Sequence, residues 1–204
     1  DDVHFAKANL KLLLTTLNIV LKTCRVRDQF NNGVEYMVVL RGLYHDDKSR
    51  LVEYLNDVSV IQYLSSKIPH PYSLEDATWW VDIGSKDNAI VKAIEFNGSF
   101  CGVIGAYTQA FEYAHSAEVG YWIAKPYWRK GIATEALQVF TADIFNQTSI
   151  SRLFNPVSAP NIASMRVLEK AGYQLEGVLR RSVCKAGDCY DEHVFARLKP
   201  NEDE

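Results

Sequence analysis

Residues 117–147, AEVGYWIAKPYWRKGIATEALQVFTADIFNQ, are the stretch that decides the fold. Residues 118–124 alternate and are rich in Val, Tyr, Trp and Ile, a pattern that predicts a strand. Pro126 ends this strand because proline has no backbone N–H for a sheet ladder. From Ala133 onward the apolar residues fall at helical spacing, which predicts an amphipathic helix. The stretch is therefore expected to form a strand, a loop and a helix in succession.

The loop between this strand and this helix is WRKGIA, residues 128–133. Gly131 permits a tight turn and a close approach of the backbone to a ligand. The N–H groups of the first helical turn have no partner within the helix, and the helix dipole is positive at this end. Arg129 and Lys130 add positive charge. Together these features predict a site for a pyrophosphate group.

A second signature lies in residues 161–172, NIASMRVLEKAG. Asn161 is a good helix N-cap, and Gly172 suits the position just after the helix. Asn161 and Ser164 lie on neighbouring turns of one helical face, so both can point into the same cleft. Each also has a simpler interpretation: Asn161 can act as a cap alone, and Ser164 can be a solvated hydroxyl.

Residues 120–137, GYWIAKPYWRKGIATEAL, resemble the acyl-CoA-binding motif of the GNAT (Gcn5-related) N-acetyltransferases, Gln/Arg-x-x-Gly-x-Gly/Ala. Gly131 and Ala133 match this motif, whereas Trp128 stands where the general motif has Gln or Arg. An aromatic residue there is usual in the RimJ/RimL-like ribosomal-protein acetyltransferase branch. The second signature, with its Asn-x-x-Ser-x(4)-Glu-Lys pattern, resembles the same branch. The resemblance covers about residues 35–198.

The resemblance implies an α/β fold: a mixed, mostly antiparallel sheet of six or seven strands with helices on both faces. Its two central parallel strands, residues 118–124 and 151–158, would splay apart beyond a β-bulge near Ala124. Residues 34–200 would form this domain. Residues 1–33 precede it as an extension predicted to be helical, which could pack on the domain or mediate dimerisation. Residues 201–204 are expected to be a disordered acidic tail.

The resemblance also implies acetyl-CoA as the acyl donor and no metal ion. Its pantetheine would pair with the strand backbone of Trp122, Ile123 and Ala124. Its pyrophosphate would contact the loop and the first helical turn, which contain Arg129, Lys130, Gly131, Ile132, Ala133 and Thr134. Asn161 would face the same cofactor cleft.

Three side chains are candidates for proton transfer. Glu118, on the strand that leads to the cofactor loop, is the candidate base, although it could equally be a surface charge of the strand. His115 is a poorer candidate, expected in the preceding turn. Leu168 stands where many GNAT enzymes have a tyrosine that protonates the leaving thiolate, and Ser164 matches the serine proposed for that role in the RimL-like group.

The acceptor cleft is predicted from an aromatic loop and the helix after it. In the resembling branch this region flanks the acceptor, so the candidate contacts are Tyr72, Trp79 and Trp80. On sequence alone, however, tryptophans in a helix are more often core residues.

Composition narrows the class of protein. With 204 residues, 48% of them hydrophobic, and a net charge of −3, the chain gives no general electrostatic case for binding DNA or RNA. No apolar run approaches the length that spans a membrane. The cysteines and histidines do not cluster at metal-ligand spacing. Reduced thiols in a cytoplasmic protein are the favoured interpretation, with a Cys184–Cys189 disulfide as the alternative.

The resemblance implies an acetyl-CoA-dependent N-acetyltransferase acting on a protein N-terminal α-amine, with a ribosomal protein as the expected acceptor. One alternative is the same chemistry on a small-molecule amine such as an amino acid, a polyamine or an antibiotic. Another, of a different class, is a CoA-binding regulatory module without turnover. The oligomeric state, monomer or homodimer, is left open.

Overall fold

The computed structural model describes residues 22–27 and 35–200. The strands are β1 Lys22–Arg27, β2 Glu35–Arg41, β3 Ala89–Phe96, β4 Ser99–Thr108, β5 Ser116–Ile123, β6 Arg152–Ser158, β7 Gln174–Lys185 and β8 Asp188–Leu198. The helices are α1 Lys48–Leu55, α2 Val58–Ile61, α3 Leu74–Asp82, α4 Ile132–Gln147 and α5 Ile162–Lys170. None of these described helices is long and apolar enough to cross a membrane.

The strands form one sheet in the order β1-β2-β3-β4-β5-β6-β8-β7. Every neighbouring pair is antiparallel except β5 and β6. The mixed, mostly antiparallel sheet is thus confirmed. It has eight described strands rather than six or seven, because residues 22–27 of the extension add an edge strand where a helix was predicted. The rest of residues 1–33, predicted to be helical, and the predicted acidic tail 201–204 lie outside the described residues.

The parallel pair separates after a short ladder. Residues 116–118 of β5 pair with residues 152–154 of β6, and the pairing then stops. The predicted β-bulge near Ala124 is wrong: the β4–β5 register runs without a shift, and the Ala124 N–H continues it by donating to the Cys101 carbonyl at 2.8 Å. Because β5 stays in regular contact with β4, the split opens on the β6 side alone.

Two hydrophobic clusters cover the two faces of the sheet. The first lies beneath α4 and α5, and the second beneath α1 and α3. Since side chains alternate along a strand, Val119 and Tyr121 of β5 belong to the first cluster, whereas Trp122 contacts the second. The split therefore opens towards a different set of side chains on each face.

The last two strands form a tight hairpin. Its turn residues Ala186 and Gly187 have φ values of 53° and 92°, as a two-residue type I′ turn requires. Cys184 and Cys189 lie opposite each other across this turn and form a disulfide. The preference for reduced thiols was therefore wrong for this pair, because the hairpin register sets the two side chains on the same face. Cys101 is free and buried.

Candidate functional site

The open edge of β5 is the centre of the site. In an antiparallel pair, the backbone groups of alternate residues point to the same neighbour. Ala124 donates to β4, and the Val119 carbonyl accepts from the Asn155 side chain on β6. Odd-numbered residues of β5 therefore direct their N–H and C=O groups into the split, while even-numbered ones are paired with β4.

This alternation corrects the predicted pantetheine contacts. Of Trp122, Ile123 and Ala124, only Ile123 has backbone groups that face the split, because the other two are turned towards β4. Tyr121 is the second residue whose N–H and C=O face the split beyond the end of the parallel ladder. The two-residue alternation of a strand, applied to the backbone as well as to side chains, could have found it.

The loop after β5 ends in a helix N-terminus that adjoins the split. Gly131 is the N-cap of α4, with φ 76°. A Cβ atom built on Gly131 would meet no heavy atom within 4 Å, so the backbone conformation, not crowding, requires glycine. The helix begins at Ile132, one residue earlier than predicted, and the Ile132 side chain is buried in the first cluster. Ile132, Ala133 and Thr134 thus offer backbone N–H groups at the first turn.

The two basic residues of the loop have different surroundings. The Lys130 ammonium lies 5.3 Å from the centroid of the Tyr127 ring and 5.7 Å from that of Phe96, within cation–π range. Arg129, with φ 62°, has no hydrogen-bond or ion-pair partner within the described part of the chain. Arg129 is therefore the more available of the two cations for an anionic ligand.

A pair of hydroxyl groups joins α5 to β5 across the split. The Asn161 side chain caps α5 by accepting from the Ser164 N–H at 3.2 Å. The Ser164 Oγ lies 2.9 Å from the Tyr121 Oη, which also donates to the Ser164 carbonyl at 3.2 Å. Burial raises the pKa of the Tyr121 phenol, so this hydroxyl keeps its proton at neutral pH. Asn161 and Ser164 were candidates from the sequence, whereas Tyr121 was not.

Two residues near the second signature are structural. Tyr173 is buried, and its Oη lies 2.7 Å from the Thr141 Oγ1. Burial raises the pKa of Tyr173 to about 12. Leu168 is fully buried in the first cluster. Both side chains pack in the core, whereas the Tyr121–Ser164 pair lies beside the split.

Glu118 lies on the opposite face of the sheet from this pair. It is flanked by Tyr107 on β4 and Phe154 on β6, and it keeps contact with solvent. The surrounding protein nevertheless removes enough water to raise the pKa of the Glu118 carboxyl. The negative charge of Glu192 raises this pKa further, while Lys67 acts in the opposite direction. A carboxylate with a raised pKa is a better proton acceptor near neutral pH than an ordinary surface glutamate.

The three predicted acceptor contacts have different environments. Tyr72 is buried in the second cluster. Its backbone N–H donates to the Asn56 side chain, and its carbonyl accepts from the same side chain. Tyr72 therefore packs in the core and does not line an open cleft. Trp80 packs partly buried against the same cluster, and Trp79 is 56% exposed beside Gly84. His115 is exposed immediately before β5, as predicted.

Other residues hold the segment after α2 over this face. The Lys185 ammonium, on the β7–β8 hairpin, donates to the carbonyls of Ile61 at 2.9 Å and Leu64 at 2.5 Å. Glu192 on β8 accepts from the Ser182 hydroxyl at 2.8 Å. The sequence did not indicate either Lys185 or Glu192 as a residue near the site. The two carbonyls that Lys185 contacts lie more than a hundred residues away in the chain, and the Ser182 hydroxyl that Glu192 contacts lies on the facing strand. Within the described residues, no cluster of three His, Cys, Asp or Glu could hold a metal ion.

The chain is similar in sequence to known N-acetyltransferases. The family model of the acetyltransferase (GNAT) domain matches residues 38–174. YnaD, an uncharacterized N-acetyltransferase of Bacillus subtilis, is 26% identical over 79% of this chain and 94% of its own length. YoaA, another uncharacterized N-acetyltransferase of Bacillus subtilis, is 38% identical, but the matched segments cover only 50% of this chain and 56% of YoaA.

Solved structures share the fold at lower sequence identity. RimL, a ribosomal alpha-N-protein acetyltransferase crystallised with coenzyme A, aligns at TM-score 0.71 and 20% identity over 79% of this chain and 94% of its own. The microcin self-immunity acetyltransferase MccE, in complex with acetyl-CoA and AMP, aligns at TM-score 0.70 and 19% identity over 79% and 92%. The family model alone spans well over half of the chain. The chain therefore belongs to the GNAT acetyltransferase family.

Proposed function

We propose that this protein is an acetyl-CoA-dependent N-acetyltransferase whose acceptor is a protein N-terminal α-amine. The observation that carries the proposal is the split between β5 and β6, which has a helix N-terminus at its end and a carboxylate of raised pKa on one face. Membership of the GNAT family supports the acetyl-CoA donor. The proposal is more specific than family membership in two respects: the acceptor group is an α-amine, and the protein that carries it is a ribosomal protein.

The residues present fit acetyl-CoA. The backbone groups of Tyr121 and Ile123 that face the split can pair with the amides of pantetheine. The first-turn N–H groups of α4, Gly131 and the side chain of Arg129 suit a diphosphate. Hydrogen bonds to charged groups contribute about 1.5–3 kcal/mol each, so a few such amides suffice for micromolar affinity. When bound, acetyl-CoA supplies the acetyl group as a thioester.

Glu118 is proposed to take the proton of the acceptor amine. An α-amine of pKa ~8 costs about 1 kcal/mol to deprotonate at pH 7, whereas a lysine of pKa ~10.4 costs roughly 4–5 kcal/mol. A carboxylate acting directly or through one water is therefore adequate for an α-amine. The second carboxylate on this face, Glu192, favours an acceptor that arrives as an ammonium ion.

Ser164 is proposed to return a proton to the leaving thiolate. Its hydroxyl contacts Tyr121, whose phenol stays protonated, so the pair holds two exchangeable protons at the edge of the split. Glu118 and Ser164 belong to different elements and different faces of the sheet. Such a separation allows one group to accept a proton while the other donates one.

A small-molecule amine is the second candidate acceptor, because two carboxylates beside an open face suit any cationic amine. The deciding experiment measures thiol release from acetyl-CoA with a panel of acceptors. We expect turnover with short peptides that have a free N-terminus and no lysine, and none with the same peptides after N-terminal blocking. Turnover with polyamines or amino acids alone would favour the small-molecule acceptor. Binding of acetyl-CoA with no thiol release from any amine would favour the regulatory module.

A further inference from the structure

The side chain of Trp128, in the loop between β5 and α4, forms a hydrogen bond back to β5. It follows the short 3₁₀ turn Lys125–Tyr127 and directly precedes Arg129. Its indole Nε1 donates to the Ile123 carbonyl at 2.6 Å, although its side chain is 40% exposed. That carbonyl ends β5 and faces the split. One side chain of the phosphate loop is thus bonded directly to the open edge of the strand.

The two ends of this bond belong to the two halves of the cofactor site. Ile123 lies on the strand edge that would pair with pantetheine, and the loop leads into the N-terminus of α4 at Gly131. The loop between them is otherwise tied to β5 by the Tyr127 N–H, which donates to the Ala124 carbonyl at 2.9 Å. Arg129, with its positive φ, turns the chain just after Trp128. The indole bond is therefore the last fixed point before the chain turns towards the diphosphate.

The bond leaves the carbonyl usable. A carbonyl oxygen has two lone pairs, so the Ile123 oxygen can accept from the indole and from a ligand amide together. A ligand that must fit the strand edge and the helix N-terminus at once is sensitive to their separation. Errors of about 1 Å in such an arrangement are costly.

We propose that Trp128 is a positioning residue that fixes the phosphate loop at the correct distance from the open edge of β5. The inference rests on the proposed use of acetyl-CoA and adds the residue that keeps the two halves of its site in register. Trp128 acts through the Ile123 carbonyl and the loop backbone, not by contact with the reacting atoms. Its N–H donor, rather than its aromatic ring, is the part that matters.

Two variants separate the donor from the ring. Trp128→Phe keeps an aromatic ring and loses the N–H, whereas Trp128→Gln loses the ring and restores an N–H donor of similar reach. Affinity would be measured by calorimetry for CoA, which spans both halves, and for adenosine 3′,5′-diphosphate, which contacts only the loop half. Circular dichroism and the melting temperature would establish that each variant is folded.

We expect Trp128→Phe to weaken CoA binding about five- to ten-fold, the change expected for one hydrogen bond, with adenosine 3′,5′-diphosphate affected less than about two-fold. Trp128→Gln should recover most of the CoA affinity. Equal losses for both ligands would mean that Trp128 touches the nucleotide itself or shapes the loop alone, and would overturn the proposal. Unchanged CoA affinity in Trp128→Phe would overturn it as well. Failure of the unmodified protein to bind CoA would instead refute the proposed cofactor.

Discussion

Glu118 shares its face of the sheet with a second carboxylate, and this arrangement has opposite consequences for stability and for catalysis. Burial and the charge of Glu192 raise the pKa of Glu118, so the folded protein disfavours the ionised form. The same shift makes the carboxylate a stronger base when it is ionised. The ionised Glu118 carboxylate therefore lowers the stability of the folded state, whatever its role in catalysis.

Substitution of Glu118 by Gln tests the base. If Glu118 accepts the proton of the amine, Glu118→Gln should lower kcat by about 10²–10⁴-fold. The loss should be greatest at low pH, where the acceptor is protonated, and should shrink as the pH approaches the pKa of the acceptor. Initial rates from pH 6 to pH 9 with one peptide acceptor would check this. A loss that is the same at every pH would assign Glu118 a structural role.

The same variant has a second, independent readout in stability. Because the folded pKa of Glu118 lies above its unfolded value, the folded protein binds more protons in the window between the two values. The contribution of Glu118 to stability is therefore fully present below the unfolded pKa and is lost as the pH rises through the folded pKa. Glu118→Gln should raise the melting temperature at neutral pH, and the difference should vanish at acidic pH. A lower melting temperature for the variant at neutral pH would contradict the raised pKa.

Ser164 and Tyr121 can be separated by paired substitutions. Ser164→Ala removes the proposed proton donor, so kcat should fall by about 10²–10⁴-fold while the affinity for acetyl-CoA stays nearly unchanged. Tyr121→Phe keeps the ring in the first cluster and removes only the hydroxyl that contacts Ser164. We expect it to lower kcat less than Ser164→Ala does. Steady-state kinetics with calorimetry for acetyl-CoA would compare them, and a larger loss for Tyr121→Phe would identify the phenol as the acid.

At the scale of elements, the site depends on a strand that is paired on one side only beyond residue 118. β5 keeps a regular ladder with β4 and parts from β6 after residue 118. The free edge of β5 continues into a loop and the N-terminus of α4. The strand edge and the positive end of the helix dipole can therefore both contact one extended ligand. The side chains on the two faces, Glu118 on one and Tyr121 on the other, follow from the alternation of the same strand.

The cofactor loop should respond more to backbone changes than to loss of charge. Gly131 has φ 76°, where a residue with a side chain costs about 1–2 kcal/mol, and a β-branched one would also obstruct the diphosphate. Gly131→Val should therefore abolish CoA binding, whereas Lys130→Ala should weaken it only several-fold. Arg129→Ala should weaken binding more than Lys130→Ala, because Lys130 lies against aromatic rings. If calorimetry ranked Lys130→Ala as the most damaging variant, side-chain charge rather than amide geometry would hold the ligand.

The sequence predicted the strand, loop and helix of this unit because their signals are local. The periodicity of apolar residues predicted β5 and α4. The residue types predicted a tight turn at Gly131 and a helix N-cap at Asn161. The sequence did not predict which backbone groups of β5 are free, since that depends on the register with β4. The resemblance assigned Tyr72 to the cleft, and its burial was not predicted because its backbone is hydrogen-bonded to Asn56, sixteen residues away. Contacts of this kind, including Tyr121 with Ser164, arise only when distant elements pack.

At the scale of the whole molecule, the sheet separates the proposed cofactor elements from the proposed acceptor elements. α4 and α5 cover the face that holds Tyr121 and Ser164, whereas α1 and α3 cover the face of Glu118. Lys185 of the final hairpin bonds the segment after α2, so two distant parts of the chain meet near the proposed acceptor side.

The N-terminal extension provides the last test, because other strands of the sheet separate its described strand from β5. Among the described strands, β1 pairs with β2, and three strands, β2, β3 and β4, separate it from β5. A chain that begins at residue 34 should therefore still bind acetyl-CoA within a few-fold of the full chain. It should also melt at a lower temperature, because β2 loses its ladder partner and exposes an unpaired edge. Calorimetry and thermal melting of the two chains would measure both effects. If the shortened chain were folded and bound no acetyl-CoA, the extension would have to reach the cofactor site, and the separation of the two would be wrong.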